Sequence, residues 1–529
     1  MINKSHGLVR SRRSVLPALA LTTLAVTPAA ASGDAGADAG AVRAPAAERR
    51  VAAYLQSIHD RPEELASFFR RLPKGGDLHS HLSGAASTEL LMDLAVEDGL
   101  CIENDTQRAL PPPCPAGSRP AAELNTDAGF RQQVLRAWSM QDFTPGAESG
   151  HDHFFATFGK FGEATWRHPG KLMADVSNTV ARQNQFYQEL MITPNSQGAK
   201  ALADRVGYDA NLPQLHRKLL ADGAMDQVVR QARTEADRGL AEFRAVAHCD
   251  SAHPDPGCAV PFLFISQVSR NSTPERVFTQ MVLAMELAER DPRFAAVNLV
   301  QPEDGVESLR DYSLHMRMLN YLHGVHPRAH ITLHAGELAP GLVKPEDLAF
   351  HIREAVNIAG AERIGHGVDI RHEDARDELL ATMAARRVAV EVPLSSNDQI
   401  LGVSGPEHPF PLYRQRGVPV VLATDDAGVS RITISDEYLR AARTYDLSYR
   451  DLKDLARASL EYAFLPGRSL WDAPGRHRRV RECRAERPGE REPGPGCAAF
   501  LAASPKASVE WRQEAAFTAF EHRVPASRP

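Results

Sequence analysis

Positive charge is scarce where a nucleic-acid or membrane-surface protein would concentrate it. Lys and Arg number 61 against 67 Asp and Glu, the formal net charge is -6, and the pI is about 6.4. No basic face for nucleic acid and no polybasic membrane patch is expected. Long apolar runs are missing as well. The apolar stretch near the start, residues 15–26, is about 12 residues long, too short to span a bilayer. Cysteine is sparse, with six in all and no C-x2-C spacing, which removes the common structural zinc pattern. No internal repeat stands out. What remains is an ordinary globular composition, 43% hydrophobic and 24% charged, over 529 residues. That length holds two or three average domains or one large barrel with insertions.

The N-terminus reads as a targeting segment. Lys4, Arg10, Arg12 and Arg13 precede the short apolar run, and Ala29-Ala30-Ala31 before Ser32 supplies an A-x-A cleavage site. Residues 1–31 are therefore expected to be a signal peptide. Ser11-Arg12-Arg13-Ser14-Val15-Leu16 also matches a twin-arginine signal, so both the general and the twin-arginine routes stay open. No Cys follows the apolar run, which argues against a lipid anchor there. The six cysteines fit an exported protein. Six allow 15 connectivities, and local pairing is favoured because near neighbours flank Pro/Gly-rich loops: Cys101 with Cys114, Cys249 with Cys258, and Cys483 with Cys497.

Residues 32–72 read as a disordered start followed by one or two helices over 48–71. From residue 73 apolar strand-like runs alternate with amphipathic helices, which predicts parallel strands. Strands are expected near 77–82, 186–193, 260–267, 295–300, 330–334, 363–366, 388–392 and 418–423. Helices are expected at 274–290, 311–323, 348–359 and 373–386. Eight such units describe an α/β fold, a (β/α)8 TIM barrel over residues 73–471. Insertions are expected at about 100–150 and around 248–258. A C-terminal extension, 472–529, should end in a helix over 508–521.

Four short motifs then fall at predicted strand ends, where such barrels place their chemistry. They are His79-Ser80-His81, His334-Ala335-Gly336-Glu337, His366 in RIGHG, and Asp425-Asp426 after VVLAT. Residues two apart on a strand face the same way, so His79 and His81 supply two imidazoles to one place. Each motif is weak alone, as His151-Asp152-His153 shows. Two adjacent carboxylates after an apolar strand are costly to bury without a cation. Three His, one carboxylate and a water satisfy a catalytic zinc.

PKGGDLHSHLSGA, HAGE, RIGHG, PLSSN and TDDAGVSRITISDEY together resemble the adenosine deaminase family of metal-dependent hydrolases, over residues 73–471. Export and the extra cysteines are most similar to its secreted branch. The resemblance implies one Zn2+ per subunit held by His79, His81, His334 and Asp425. It implies that Glu337 protonates ring nitrogen 1 of a purine, and that Asp426 contacts ring nitrogen 7. It assigns His366 the orientation and partial deprotonation of the zinc-bound water. Two-metal relatives carry a Lys at the end of the fourth strand. Here AAVNLVQPED has none, so a single metal is expected. The H-x-E and P-C-x-x-C signature of the other zinc deaminases is absent.

Two positions depart from the family pattern. Ser83 stands where an Asp usually binds the ribose 5′-hydroxyl, and Gln301 where Gly is common. Phe154, Phe155 and Phe158 align with a helix that would cover the ligand, and a core-facing stripe explains them equally. Ser395, Ser396 and Asn397 read either as supports for the site or as a simple turn. The leading expectation is an exported adenosine (and 2′-deoxyadenosine) aminohydrolase serving nucleoside salvage, with a small-molecule purine nucleoside as partner. Neither a nucleic acid nor, after signal removal, a membrane is expected as partner. The secreted resemblance also raises a homodimer. The runner-up is a deaminase of an adenine nucleotide or N-methylated AMP, which Ser83 keeps open. A third reading is an extracellular adenosine-binding or signalling module without turnover.

Overall fold

In a computed structural model, residues 46–524, apart from residue 474, are described. The signal segment and most of the residues expected to be a disordered start lie outside them.

Strand β1 (Gly76–His81) is followed by β2 (Tyr187–Ile192), β3 (Phe262–Ser269), β4 (Phe294–Val300), β5 (His330–Ala335), β6 (Arg363–His366), β7 (Ala389–Val392) and β8 (Val420–Leu422). They form one eight-stranded sheet in sequence order, and every pairing is parallel. β8 meets β1 through a bridge between Ser80 and Asp425. There the Asp425 N–H donates to the His79 carbonyl at 2.9 Å and the His81 N–H to the Asp425 carbonyl at 3.1 Å. The seam of the barrel thus runs through three residues of the predicted site. Strands such as GDLHSH and FAAVNLV are buried along their whole length, as expected for a sheet covered by helices on the outside and packed side chains within. All eight strands lie within about two residues of their expected positions.

The helix Pro274–Arg290 coincides with its prediction. Proline at its first turn suits a position whose N–H has no partner, and Val277, Phe278, Met281 and Val282 are buried. The expected helix at 348–359 is broken instead into a 3-10 turn (Pro345–Leu348), a short α segment (His351–Glu354) and a π segment (Ala355–Ala359). Tertiary contacts override the pattern there. The Glu373 carboxylate takes the backbone N–H groups of Ile352 and Arg353, and His351 stacks on Tyr312 at 3.7 Å.

The insertion after β1 holds a small antiparallel sheet (Cys101–Glu103, Ala109–Leu110, Ser118–Pro120) that periodicity did not disclose, because its strands are two or three residues long. All three local disulfides are present: Cys101–Cys114, Cys249–Cys258 and Cys483–Cys497. The pre-barrel segment forms two helices, Ala46–Ser57 and Pro62–Arg71, and the last described helix is Pro505–Arg523. Lys453 ties these ends together through Glu48 at 2.6 Å and Glu521 at 2.7 Å. No described helix is long and apolar enough to cross a membrane.

Candidate active site

His79, His81, His334 and Asp425 converge at the C-terminal mouth of the barrel. The Nε2 atom of His334 lies 3.1 Å from that of His79 and 3.2 Å from that of His81. Asp425 Oδ1 is 3.2 Å from His81 Nε2 and 3.5 Å from His79 Nε2. Three rings and a carboxylate crowd their polar atoms into one spot, which is unfavourable unless a cation sits among them. Burial lowers the His79 pKa, but Asp425 and Glu391 overcome it and lift it to about 10. His334, hemmed in by burial and three other imidazoles, is driven well below its ordinary value. Three imidazole nitrogens and a carboxylate oxygen gathered this closely could hold a divalent cation.

The rear nitrogens fix the aim of these rings. His79 Nδ1 faces Glu391 Oε2 at 2.6 Å, His81 Nδ1 faces Gln267 Oε1 at 2.6 Å, and His334 Nδ1 faces Asn298 Oδ1 at 2.9 Å. Asn298 Oδ1 also accepts the His334 backbone N–H, so it is an oxygen. Acceptors behind each Nδ1 leave every Nε2 lone pair pointing forward, which is how metal-binding imidazoles are held. Glu391 is further braced by Thr332 and by buried Arg363, and its pKa falls to about 2 despite burial. Ser396 Oγ donates to Asp425 Oδ2 at 2.7 Å.

The remaining predicted residues gather around this cluster. His366 Nε2 is 3.6 Å from Glu337 Oε1 and 3.9 Å from Asp425 Oδ2, and it has no hydrogen-bond partner. Glu337 is raised above its ordinary pKa by burial and by Asp425. Asp426 is raised well above its own by burial, with the charge of Asp425 adding to it. Both carboxyls are thereby biased toward the protonated form. Asp426 Oδ1 is buried and unpartnered, and it fits only because Gly84 has no side chain: a Cβ there would stand 1.8 Å from it. A cavity of about 330 Å³ opens over the cluster. Phe154, Phe155 and Phe158 line it together with Ser83, Gln301, Glu337, Asp425 and Asp426.

Three non-glycine residues of the mouth have left-handed backbone: Gln301 (φ 80°), His366 (φ 66°) and Asp425 (φ 60°). Such strain gathers at functional sites. At Gln301 the φ of 80° accounts for the glycine common at that position and leaves the glutamine strained. The Gln301 side chain turns to accept the Asn271 backbone N–H at 3.0 Å. The decoy His151-Asp152-His153 sits on the helix Gly150–Phe161, and its rings are spent on Asp304, Asp152, Glu148 and the Ser139 carbonyl.

Sequence reasoning missed Glu391, Gln267, Asn298 and Glu303. Glu391 and Asn298 were visible as single polar residues inside apolar strands, in AVEVP and AVNLV, whereas Gln267 stands between serines in ISQVS. Glu303 takes the backbone N–H groups of Gly336 and Glu337 at 3.1 and 2.9 Å and so seats the HAGE loop. Ser395, Ser396 and Asn397 were read either as supports for the site or as a simple turn. They open the helix Leu394–Leu401, which turns Ser396 and Asn397 toward the site.

The adenosine deaminase family model matches residues 168–470. The aminodeoxyfutalosine deaminase of Streptomyces coelicolor is 27% identical over 425 residues, 79% of this chain and 85% of that protein. The adenosine deaminase of Shewanella halifaxensis is 37% identical over 136 residues, 25% of this chain and only 38% of that enzyme. Among solved structures, Arabidopsis N6-mAMP deaminase aligns at 21% identity with a TM-score of 0.50, over 76% of this chain and 96% of that one. That likeness shows the barrel fold. Arabidopsis ADAL complexed with IMP aligns at 22% identity and TM-score 0.50, over 75% and 93%. The chain belongs to the adenosine deaminase family, metal-dependent hydrolases that deaminate small purine compounds at a C–N bond.

Proposed function

We propose that this protein is an exported, zinc-dependent adenosine aminohydrolase that converts adenosine, and 2′-deoxyadenosine, to inosine and ammonia. The observation that carries the reading is one cavity holding a buried carboxylic acid, Glu337, beside a four-donor metal cluster and a second raised carboxyl, Asp426. Three imidazole nitrogens and one carboxylate oxygen are the donor set of a catalytic zinc. Such an ion, when bound, makes a water nucleophilic near neutral pH.

The protein's own groups account for the rest. Adding water at carbon 6 of the purine pushes electrons toward nitrogen 1, so that nitrogen needs a proton. Glu337, whose carboxyl burial biases toward its protonated form, donates it, a contribution of ~100–10,000-fold. Asp426, also biased toward its protonated form, donates to nitrogen 7, which can only accept. His366 flanks the place where the attacking oxygen must stand. Phe154, Phe155 and Phe158 cover the ring and exclude water.

The nucleotide alternative loses ground to the cavity lining. No Lys or Arg stands among its residues, while Glu337, Asp425 and Asp426 do. A 5′-phosphate would meet no Lys or Arg among the described residues that line the cavity. Ser83 can hydrogen-bond a sugar hydroxyl but does not neutralise a phosphate. Export is supported by the N-terminal signal pattern and by three disulfides.

The test is ultraviolet absorbance of the protein from Ser32 onward, mixed with adenosine and, in parallel, with AMP, before and after chelation and zinc addition. Zinc-restorable turnover of adenosine with little on AMP is expected. Turnover of AMP alone would overturn the nucleoside reading. Silence on both with zinc bound would overturn the aminohydrolase reading.

A further inference from the structure

His366 leads away from the site along a buried chain of hydrogen bonds. Its Nδ1 meets the Asn397 side-chain amide at 2.8 Å, and the other end of that amide meets His408 Nε2 at 2.9 Å. His408 Nδ1 in turn accepts the Phe410 backbone N–H at 3.0 Å. His366, Asn397 and His408 are all fully buried, so no solvent intervenes.

The direction of this chain follows from its far end. The Phe410 N–H can only donate, so His408 Nδ1 must offer a lone pair. Burial pushes the His408 pKa down to about 3, so the ring is neutral and its single hydrogen sits on Nε2. That N–H needs an acceptor, and among the described residues its one partner is the Asn397 amide. The amide must therefore be turned over from the placement that sets Oδ1 2.8 Å from His366 Nδ1 and Nδ2 2.9 Å from His408 Nε2, so that its oxygen faces His408 and its NH2 faces His366. The opposite orientation of the amide would set two lone-pair seekers against each other at His408. Oxygen and nitrogen of an amide are told apart only by such networks.

We infer that His408 and Asn397 are positioning residues that hold His366 in the tautomer carrying its hydrogen on Nε2. That hydrogen points at the gap between Glu337 and Asp425, where the Nε2 atom otherwise has no partner. This inference rests on the deaminase reading for its consequence, though not for its geometry. His366 then donates a hydrogen bond to the attacking oxygen and cannot take the proton released when water adds to the ring. That proton goes to a carboxylate, and Glu337 and Asp425 are the two within reach.

The test is nitrogen-15 NMR of histidine-labelled, zinc-loaded protein from Ser32 onward, with the His366 signals identified by their loss in His366→Gln. A lone-pair shift at Nδ1 and a protonated shift at Nε2 are expected. A protonated Nδ1 in the wild type would overturn the inference, whatever the activity. A second arm uses Asn397→Asp, whose carboxylate only accepts and so forces the hydrogen onto Nδ1. It should swap the two shifts and lower kcat by up to ~10,000-fold, the scale of a catalytic histidine locked in its wrong tautomer, with KM nearly unchanged. Swapped shifts with full kcat would also overturn it. The spectrum reads the tautomer without turnover, so it separates this inference from failure of the deaminase reading.

Discussion

Two regions of the described residues gather histidines and carboxylates closely enough to share a metal ion, the barrel mouth and a patch of outer helices, and only the mouth braces its rings from behind. At the barrel mouth, His79, His81, His334 and Asp425 stand with polar atoms 3.1–3.5 Å apart, and each imidazole is braced from behind by Glu391, Gln267 or Asn298. Among the outer helices, His216, Glu286 and His326 form the other group. There His326 Nε2 is 3.9 Å from Glu286 Oε1, and Arg290 already holds Glu286 at 2.7 Å. His216 leans on the Tyr321 hydroxyl at 3.2 Å and is pushed down to about 4 by burial, while its Nε2 and that of His326 have no partner. The residue types are nearly alike. The difference is whether acceptors behind the rings aim their lone pairs at one point.

The comparison breaks most sharply if the mouth does not hold the metal. His81→Ala or Asp425→Ala should lose the bound metal and, with it, all measurable deamination, read by metal analysis and ammonia release. Next in size, Glu337→Gln should keep the metal and lose ~100–10,000-fold in kcat, because the amide has no proton to give to the ring. Loss of metal in that variant would move Glu337 from acid to ligand. Smaller again, Glu391→Gln removes the charged brace behind His79 and should weaken metal affinity by ~10–100-fold, measured by chelator competition. An unchanged affinity would show that bracing does not matter. The smallest effect is expected at the other group: His216→Gln with His326→Gln should leave metal content at one per chain and deamination unchanged. A wild type with two metals per chain, falling to one in this double variant, would erase the contrast.

Much of the fold was legible because its signals are local. Parallel strands buried on both faces read as apolar runs, and Pro274 and the periodic Val277, Met281 and Val282 marked a helix to the residue. The helix expected at 348–359 was not legible as it is. Its breaks come from Glu373 and Tyr312, distant in sequence, capturing its backbone and His351. The three-strand sheet of the insertion was too short to show a period.

Sequence alone determined which residues meet at the barrel mouth. His79 and His81 share a face because a strand has a period of two, and His334, Glu337, His366 and the Asp pair fall at strand ends. Local hydrogen bonding and side-chain alternation decide such things. Tertiary structure alone decided how those residues are aimed. It closed the barrel through Asp425 against His79 and His81, set Glu391, Gln267 and Asn298 behind the rings, buried Glu337 and Asp426 until their protons are favoured, and strung Asn397 and His408 behind His366. Each of these depends on groups brought together from distant parts of the chain and on the exclusion of water around them, and neither is written in any one stretch of residues.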